Sequence, residues 1–271
     1  MKLKQWVGLA LCAAACHAAW AKDKASQLPL LVVGASYAEG KTPFNNGVAP
    51  LGGVSVGLGS YLSLGQALTR TNPLPGYVIN EGQGGAGTFA RPYCAPGAPT
   101  CGPAGWESYQ TQFHKALARV AQPPSFNTYN AKYVVITMSN DCLHADAFGI
   151  PQNQSQPCTA AQMNQTVDRL VALGQDAVSR GITPIYDVMP RYEKLDLPLF
   201  RSLFGLAWVI GEADYNQLRQ LSRTRLSAEV PKAVVVDMWK DFVHIGDGIH
   251  PTPETAKHAA RIVADEILKR D

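Results

Sequence analysis

The segment Gly246-Asp247-Gly248-Ile249-His250-Pro251 holds the most chemically suggestive spacing in the chain. A carboxylate three residues before a histidine, in a turn opened by glycines, can reach the imidazole Nδ1–H. That contact fixes the tautomer and leaves Nε2 free to take a proton from a hydroxyl. His244, Asp247 and His250 also offer three metal-ligand types within seven residues, so metal ligation competes with the proton-transfer reading. A candidate hydroxyl lies far upstream in Gly34-Ala35-Ser36-Tyr37-Ala38-Glu39-Gly40-Lys41-Thr42. Five residues separate Gly34 from Gly40, one more than a phosphate-binding P-loop tolerates. The remaining readings are a helix-capping serine and a nucleophilic serine at a strand-to-helix turn. Asn140, in Met138-Ser139-Asn140-Asp141-Cys142, is of a type that can aim a side-chain N–H at a developing oxyanion, with Asp141 holding the loop. Gly82-Gln83-Gly84-Gly85-Ala86-Gly87 lets backbone amides approach a ligand closely. His114 and His258 sit among charged neighbours and read as solvated helix positions.

These residues acquire meaning from the elements that must carry them. Leu30–Gly34, Tyr77–Asn80, Lys132–Met138, Thr183–Val188 and Ala233–Met238 are short, nearly all-apolar runs, the pattern of strands covered on both faces. Helical patterns lie between them. Thr159-Ala160-Ala161-Gln162 is a capping box, followed by Met163, Val167, Leu170, Val171 and Val178 on one face and stopped by Gly181. Thr252-Pro253 opens a last helix whose inner stripe is Ala256, Ala260, Val263 and Ile267. Five strands interleaved with helices imply right-handed crossovers and a parallel sheet between helical layers. Ligands of such sheets bind at the carboxyl ends of the strands, where Ser36 and Asn140 fall. Two long connections remain: Phe89 to Gly105, rich in Pro, Gly and Cys, and the apolar stretch Pro190 to Gly211. The latter should emerge on the same rim as Ser36, as a core cap or as the wall of an apolar pocket. Arg191 and Arg201 could offer that rim an anion site, though solvated arginines are commoner.

The chain has 271 residues, 46% hydrophobic and 17% charged, with a formal charge of +3. This excludes a disordered chain and gives no concentrated basic balance of the kind nucleic-acid binding uses. Met1-Lys2-Leu3-Lys4, the apolar run Trp6 to Cys16 and Ala19-Trp20-Ala21 follow the order of a secretory signal. Cleavage after Ala21 would remove two lysines, bring the charge to +1 and leave residues 22–271 as a single domain with no membrane span. A lipoprotein cut at Cys16 is the second reading. Cys94, Cys101, Cys142 and Cys158 would remain, an even number suited to an oxidising compartment such as the periplasm or the exterior. Four cysteines admit three pairings, of which the local ones, Cys94–Cys101 and Cys142–Cys158, are favoured. No C-x-x-C pair points to zinc.

Taken in order, a serine after the first strand, glycine after the second, Asn-Asp after the third and Asp-x-x-His before the last helix resemble the SGNH (GDSL-type) esterase and lipase family. The resemblance spans almost all of residues 22–271. It departs where Ala35 replaces the family's Asp before the serine, and where Met138 stands in place of a Gly two residues before the Asn. The resemblance implies a three-layer α/β/α, flavodoxin-like fold with a parallel five-stranded sheet. It implies a carboxylic ester hydrolase with Ser36 as nucleophile, His250 as general base and acid, and Asp247 as its orienting carboxylate. The oxyanion hole would use Ser36 and Gly85 backbone N–H groups and the Asn140 side chain; Asn80 followed five residues later by Gly85 fits the family spacing, with Gly84 or Gly87 as alternatives. No metal or organic cofactor is implied. Substrates would be small-molecule, lipid or acylated-sugar esters. An O-acyltransferase acting on envelope glycans through the same triad, and a non-catalytic exported binding protein, are the other functional expectations.

Overall fold

The computed structural model describes residues 24–39, 49–51, 54–56, 62–92, 101, 105–143, 148 and 150–271. The N-terminal segment read as a signal, Lys41-Thr42 of the phosphate-loop reading, and Cys94 lie outside them. Five apolar segments form the central sheet: β1 (Leu30–Val33), β2 (Val78–Asn80), β3 (Tyr133–Ile136), β4 (Thr183–Asp187) and β5 (Val234–Val236). All neighbouring pairs are parallel, and the strand order is β5-β4-β3-β1-β2. β1 and β3 are buried along their whole length, which explains why neither alternates polar and apolar residues.

The helices are α1 (Leu64–Thr71), α2 (Tyr109–Val120), α3 (Ala160–Ser179), α4 (Leu197–Phe204), α5 (Glu212–Glu229) and α6 (Pro253–Leu268). α1 packs with α6, while α3 packs with α5. α2 joins the α3 layer: His114 and Gln110 both bond Asp176 of α3, at 2.9 and 2.6 Å. The sheet thus lies between two helical layers, as right-handed crossovers in opposite directions from β1 require. Thr159 and Gln162 form the expected capping box of α3. Thr252 caps α6, with Pro253 in its first turn. Among the described residues no helix is long and apolar enough to cross a membrane.

Each strand stops short of its apolar run, and the trimmed residues build the strand ends. Chain order reverses between β1 and β3, the topological switch point at which such sheets open a crevice. Val33 lies opposite Ile136, so both chains leave the sheet at one level. Gly34 turns out of β1 at φ +146°, its N–H donating to the buried Gln112 Oε1 at 2.7 Å. A Cβ there would stand 2.0 Å from Thr137 Oγ1, so only glycine fits between β1 and β3. The Cys142–Cys158 disulfide, the favoured local pair, ties the segment after β3 to the start of α3, with its Cα atoms 5.6 Å apart.

Pro190 to Gly211 is not the long connection its apolar content suggests. It folds into a short 3-10 turn at Tyr192–Lys194 and then α4. Asp196 caps α4, Pro198 sits in its first turn and Gly205 ends it in the left-handed conformation. Those helix signals are present in the sequence but are masked by the density of leucines and phenylalanines around them.

Candidate active site

The loop before α6 is folded by its own polar groups. Ile245 N–H donates to the His250 carbonyl at 2.9 Å, and Thr252 N–H to the Val243 carbonyl at 2.9 Å. His244 Nδ1 accepts from the N–H groups of Gly246 and Gly248, at 3.0 and 3.2 Å. This role for His244 uses its ring nitrogen to shape the loop, and it sets His244 apart from Asp247 and His250 as a would-be metal ligand. Inside the loop Asp247 Oδ2 lies 2.5 Å from His250 Nδ1. Asp247 Oδ1 accepts the N–H groups of Ile249 and His250, at 3.0 and 2.9 Å. The carboxylate is 1% exposed. Burial pushes its pKa up, but the His250 hydrogen bond and charge, with the two amides, outweigh burial and hold it below the ordinary aspartate value. With Nδ1 facing the carboxylate, Nε2 is the imidazole atom left to exchange protons.

Ser36 lies in a turn spanning residues 36–38, directly after β1. The N–H groups of Ala38 and Glu39 both close back on the Ala35 carbonyl at 3.0 Å. Through Glu39 the serine sits in this turn, and the continuation that the strand-to-helix reading needs lies outside the described residues. The turn is docked onto the histidine loop by its next residue. Tyr37 O–H donates to the Ile249 carbonyl at 2.5 Å, and its ring lies 6.5 Å from the His250 ring. Ser36 and His250 are thus sequence neighbours of two groups held in direct contact. Asn80 fixes the turn from the other side: its Nδ2 donates to the Ala38 carbonyl at 2.6 Å and its Oδ1 accepts from Gly82 N–H at 2.8 Å. Asn80 therefore links the end of β2 to the serine turn, a role beyond marking the spacing to Gly85.

Asn140 meets the glycine-rich run after β2 at Ala86, the residue next to Gly85. Asn140 is buried, and its Nδ2 donates to the Ala86 carbonyl at 3.4 Å. Asp141 holds this region together, as its position after β3 suggested. Its Oδ1 accepts from Thr88 N–H at 2.9 Å, and its Oδ2 accepts from the Thr88 hydroxyl and from the Thr166 hydroxyl, the latter at 3.1 Å. Gly85 has φ +81°. Among the described residues no acceptor is bonded to the backbone N–H of either Ser36 or Gly85.

Two features add detail that the sequence reading did not contain. One is aromatic packing on His250: Phe200 of α4 meets its ring edge-on at 6.3 Å, and Phe204 lies 6.4 Å away. The backbone N–H of Asp196 donates to the Gly248 carbonyl at 2.9 Å, seating α4 on the histidine loop. The other is Asp187, the last residue of β4. It is buried and accepts the Trp239 indole N–H at 2.9 Å; burial pushes its pKa up to about 7 against the hydrogen bonds that lower it. Trp239 packs edge-on against Tyr37, with ring centroids 5.1 Å apart, so Asp187 sits behind the serine turn. Arg201 closes the end of α4 on the Leu206 carbonyl, and Arg191 is exposed beside Glu193. His114 lies half-exposed beside Asp176, as expected of a solvated helix position; the His258 ring is half-exposed beside Asp241, but its Nε2 is buried and makes no hydrogen bond among the described residues.

The sequence matches no protein-family model and no curated protein. Its fold is found among solved structures. Est24, a carbohydrate acetylesterase from Sinorhizobium meliloti, is similar with a TM-score of 0.56 at 16% identity, over 90% of this chain and 100% of that one. A carbohydrate acetylesterase family member from the same organism gives 0.52 at 16% identity, over 89% and 99%. The inhibitor-bound aryl esterase of M. smegmatis gives 0.50 at 17% identity, over 89% and 99%. Near-complete coverage of these structures, together with the 2-1-3-4-5 sheet between two helical layers, gives this chain a three-layer α/β/α fold shared with these esterase structures.

Proposed function

We propose that the protein is an exported serine esterase that hydrolyses carboxylic acyl esters. The observation that carries this reading is the buried Asp247–His250 pair on a loop bonded, through Ile249 and Tyr37, to the turn that presents Ser36. His250 Nε2 takes the Ser36 Oγ proton as the oxygen bonds to the ester carbonyl carbon. The carbonyl π electrons move to oxygen, giving a tetrahedral oxyanion. The backbone N–H groups of Ser36 and Gly85 and the Asn140 carboxamide would receive that charge. As the oxyanion collapses, the bond to the alcohol oxygen breaks and His250 delivers its proton to the leaving alcohol. Water then repeats the sequence on the acyl-Ser36 ester, releasing the acid and restoring the serine. Asp247 stays ionised throughout and stabilises the imidazolium, a role its depressed pKa supports. Solved structures of this fold include carbohydrate acetylesterases and an aryl esterase, which supports acyl-ester chemistry. The basic, apolar and small residues of Met1 to Ala21 support export, and a disulfide suits an oxidising compartment.

The test is turnover of p-nitrophenyl acyl esters by wild type and Ser36→Ala. The variant should lose roughly four orders of magnitude in kcat with an unchanged melting temperature. A fluorophosphonate probe should label the wild type once, at Ser36. Labelling elsewhere, or turnover that survives Ser36→Ala, would remove Ser36 from the reaction.

A further inference from the structure

The run Gly84-Gly85-Ala86-Gly87 offers several amides, and the chain outside the run decides which of them faces the reaction. Arg91–Pro92 and Gly105–Trp106 form a two-residue antiparallel ribbon with Arg91 directly opposite Trp106. Directly opposed residues on paired strands project to one face. The Arg91 guanidinium lies 4.6 Å over the Trp106 ring, so the two side chains brace each other. Together they hold two consecutive carbonyls: Trp106 Nε1 donates to Gly84 O at 2.7 Å, and Arg91 Nη2 donates to Gly85 O.

A trans peptide is planar, with its C=O and N–H pointing in opposite directions. Fixing the Gly84 carbonyl on the indole therefore fixes the Gly85 N–H to point away from it. The indole also fills the space behind Gly85, where a Cβ would stand 2.7 Å from Trp106 Nε1. The same geometry disfavours the other candidates. The Ala86 carbonyl accepts from Asn140 Nδ2, so the Gly87 N–H of that peptide points away from Asn140. The Gln83 carbonyl is turned inward to accept Ala86 N–H at 3.0 Å, which sends the Gly84 N–H out of that turn.

We propose that Trp106, braced by Arg91, is a positioning residue that aims the Gly85 amide as a backbone donor of the oxyanion hole. This rests on the esterase reading above and adds to it a residue that touches neither substrate nor the triad. Losing the indole N–H frees the Gly84–Gly85 peptide to rotate, and the cost falls on the transition state, where the oxyanion's charge develops.

The experiment compares wild type with Trp106→Phe, which keeps an aromatic ring beneath Arg91 and removes the donor. Fluorophosphonate titration counts competent serines, and kcat for a p-nitrophenyl ester is expressed per titrated site. The expected result is a kcat per site lowered roughly ten-fold, a partial loss of the 10²–10³ typical of deleting an oxyanion donor, with KM within about two-fold. A structural role alone would reduce the number of titrated sites and leave kcat per site unchanged, and that overturns the proposal, as does a change confined to KM. Should Trp106→Phe yield no titratable protein, 3-benzothienylalanine at position 106 keeps the bicyclic shape and replaces only the N–H by sulfur; kcat per site in that protein then decides. Failure of the esterase reading is seen separately, as Ser36-independent turnover or no turnover in the wild type.

Discussion

The Asn140 carboxamide carries two N–H donors, and among the described residues one of them meets the Ala86 carbonyl, at 3.4 Å. The other is available to charge that exists only on the tetrahedral oxygen. Asn140→Ala should lower kcat roughly 10²- to 10³-fold with little change in KM. Steady-state kinetics on one acyl ester decide it, and a rise in KM alone would make Asn140 a ground-state binding residue. Residues of this kind were legible because their types are unusual where they stand: Asp247 and His250 three apart between glycines, Asn140 just past an apolar run. Tyr37, Trp106 and Arg91 carried no such signal. An aromatic beside a serine reads as core, and Trp106 acquires its role only from a carbonyl 22 residues earlier in the chain. Side chains that act through long-range hydrogen bonds to backbone have no local spacing to betray them.

At the scale of elements, α4 is the piece that separates the two readings of Pro190 to Gly211. Its two phenylalanines differ in burial, so each reading can be tested on its own residue. Phe200 is buried and edge-on to His250, whereas Phe204 is half-buried. Phe200→Ala should therefore cost stability, about 3–5 kcal/mol for a buried Phe truncated to Ala. Phe204→Ala should keep the melting temperature within a few degrees and enlarge the space beside His250. It should raise kcat/KM for longer acyl chains relative to acetyl by roughly ten-fold, within the 1–3 kcal/mol per methylene that an apolar wall discriminates. A panel of p-nitrophenyl esters of rising chain length measures the shift; an unchanged preference profile would leave Phe204 as packing only. The strands were legible as elements because burial on both faces removes polar residues from them. α4 was not, because an apolar face that caps a functional loop looks the same in sequence as an apolar loop.

Across the whole molecule, the order of five apolar runs and their intervening helices was enough to anticipate the sheet and its parallel sense. Packing between distant segments was not, and Asp187 is the clearest case: it ends an anticipated strand, but its partner Trp239 lies 52 residues away. Burial holds the Asp187 carboxyl at about pH 7, while an unfolded chain returns it to its ordinary value of 3.8. Between these two values the folded protein keeps a proton that the unfolded chain has released. The Asp187 contribution to stability therefore declines as pH rises through that window and levels off above it. Asp187→Asn retains an oxygen to accept the Trp239 N–H and removes the titration, so its melting temperature should vary less between pH 4 and 8 and exceed that of wild type at the alkaline end. Parallel profiles for the two proteins would place the pH dependence elsewhere. The consequence reaches calorimetry: near pH 6 Asp187 takes up a proton as the chain folds, so the measured heat of unfolding should include a buffer-ionisation contribution from this carboxyl, and that part of the buffer dependence should vanish in Asp187→Asn.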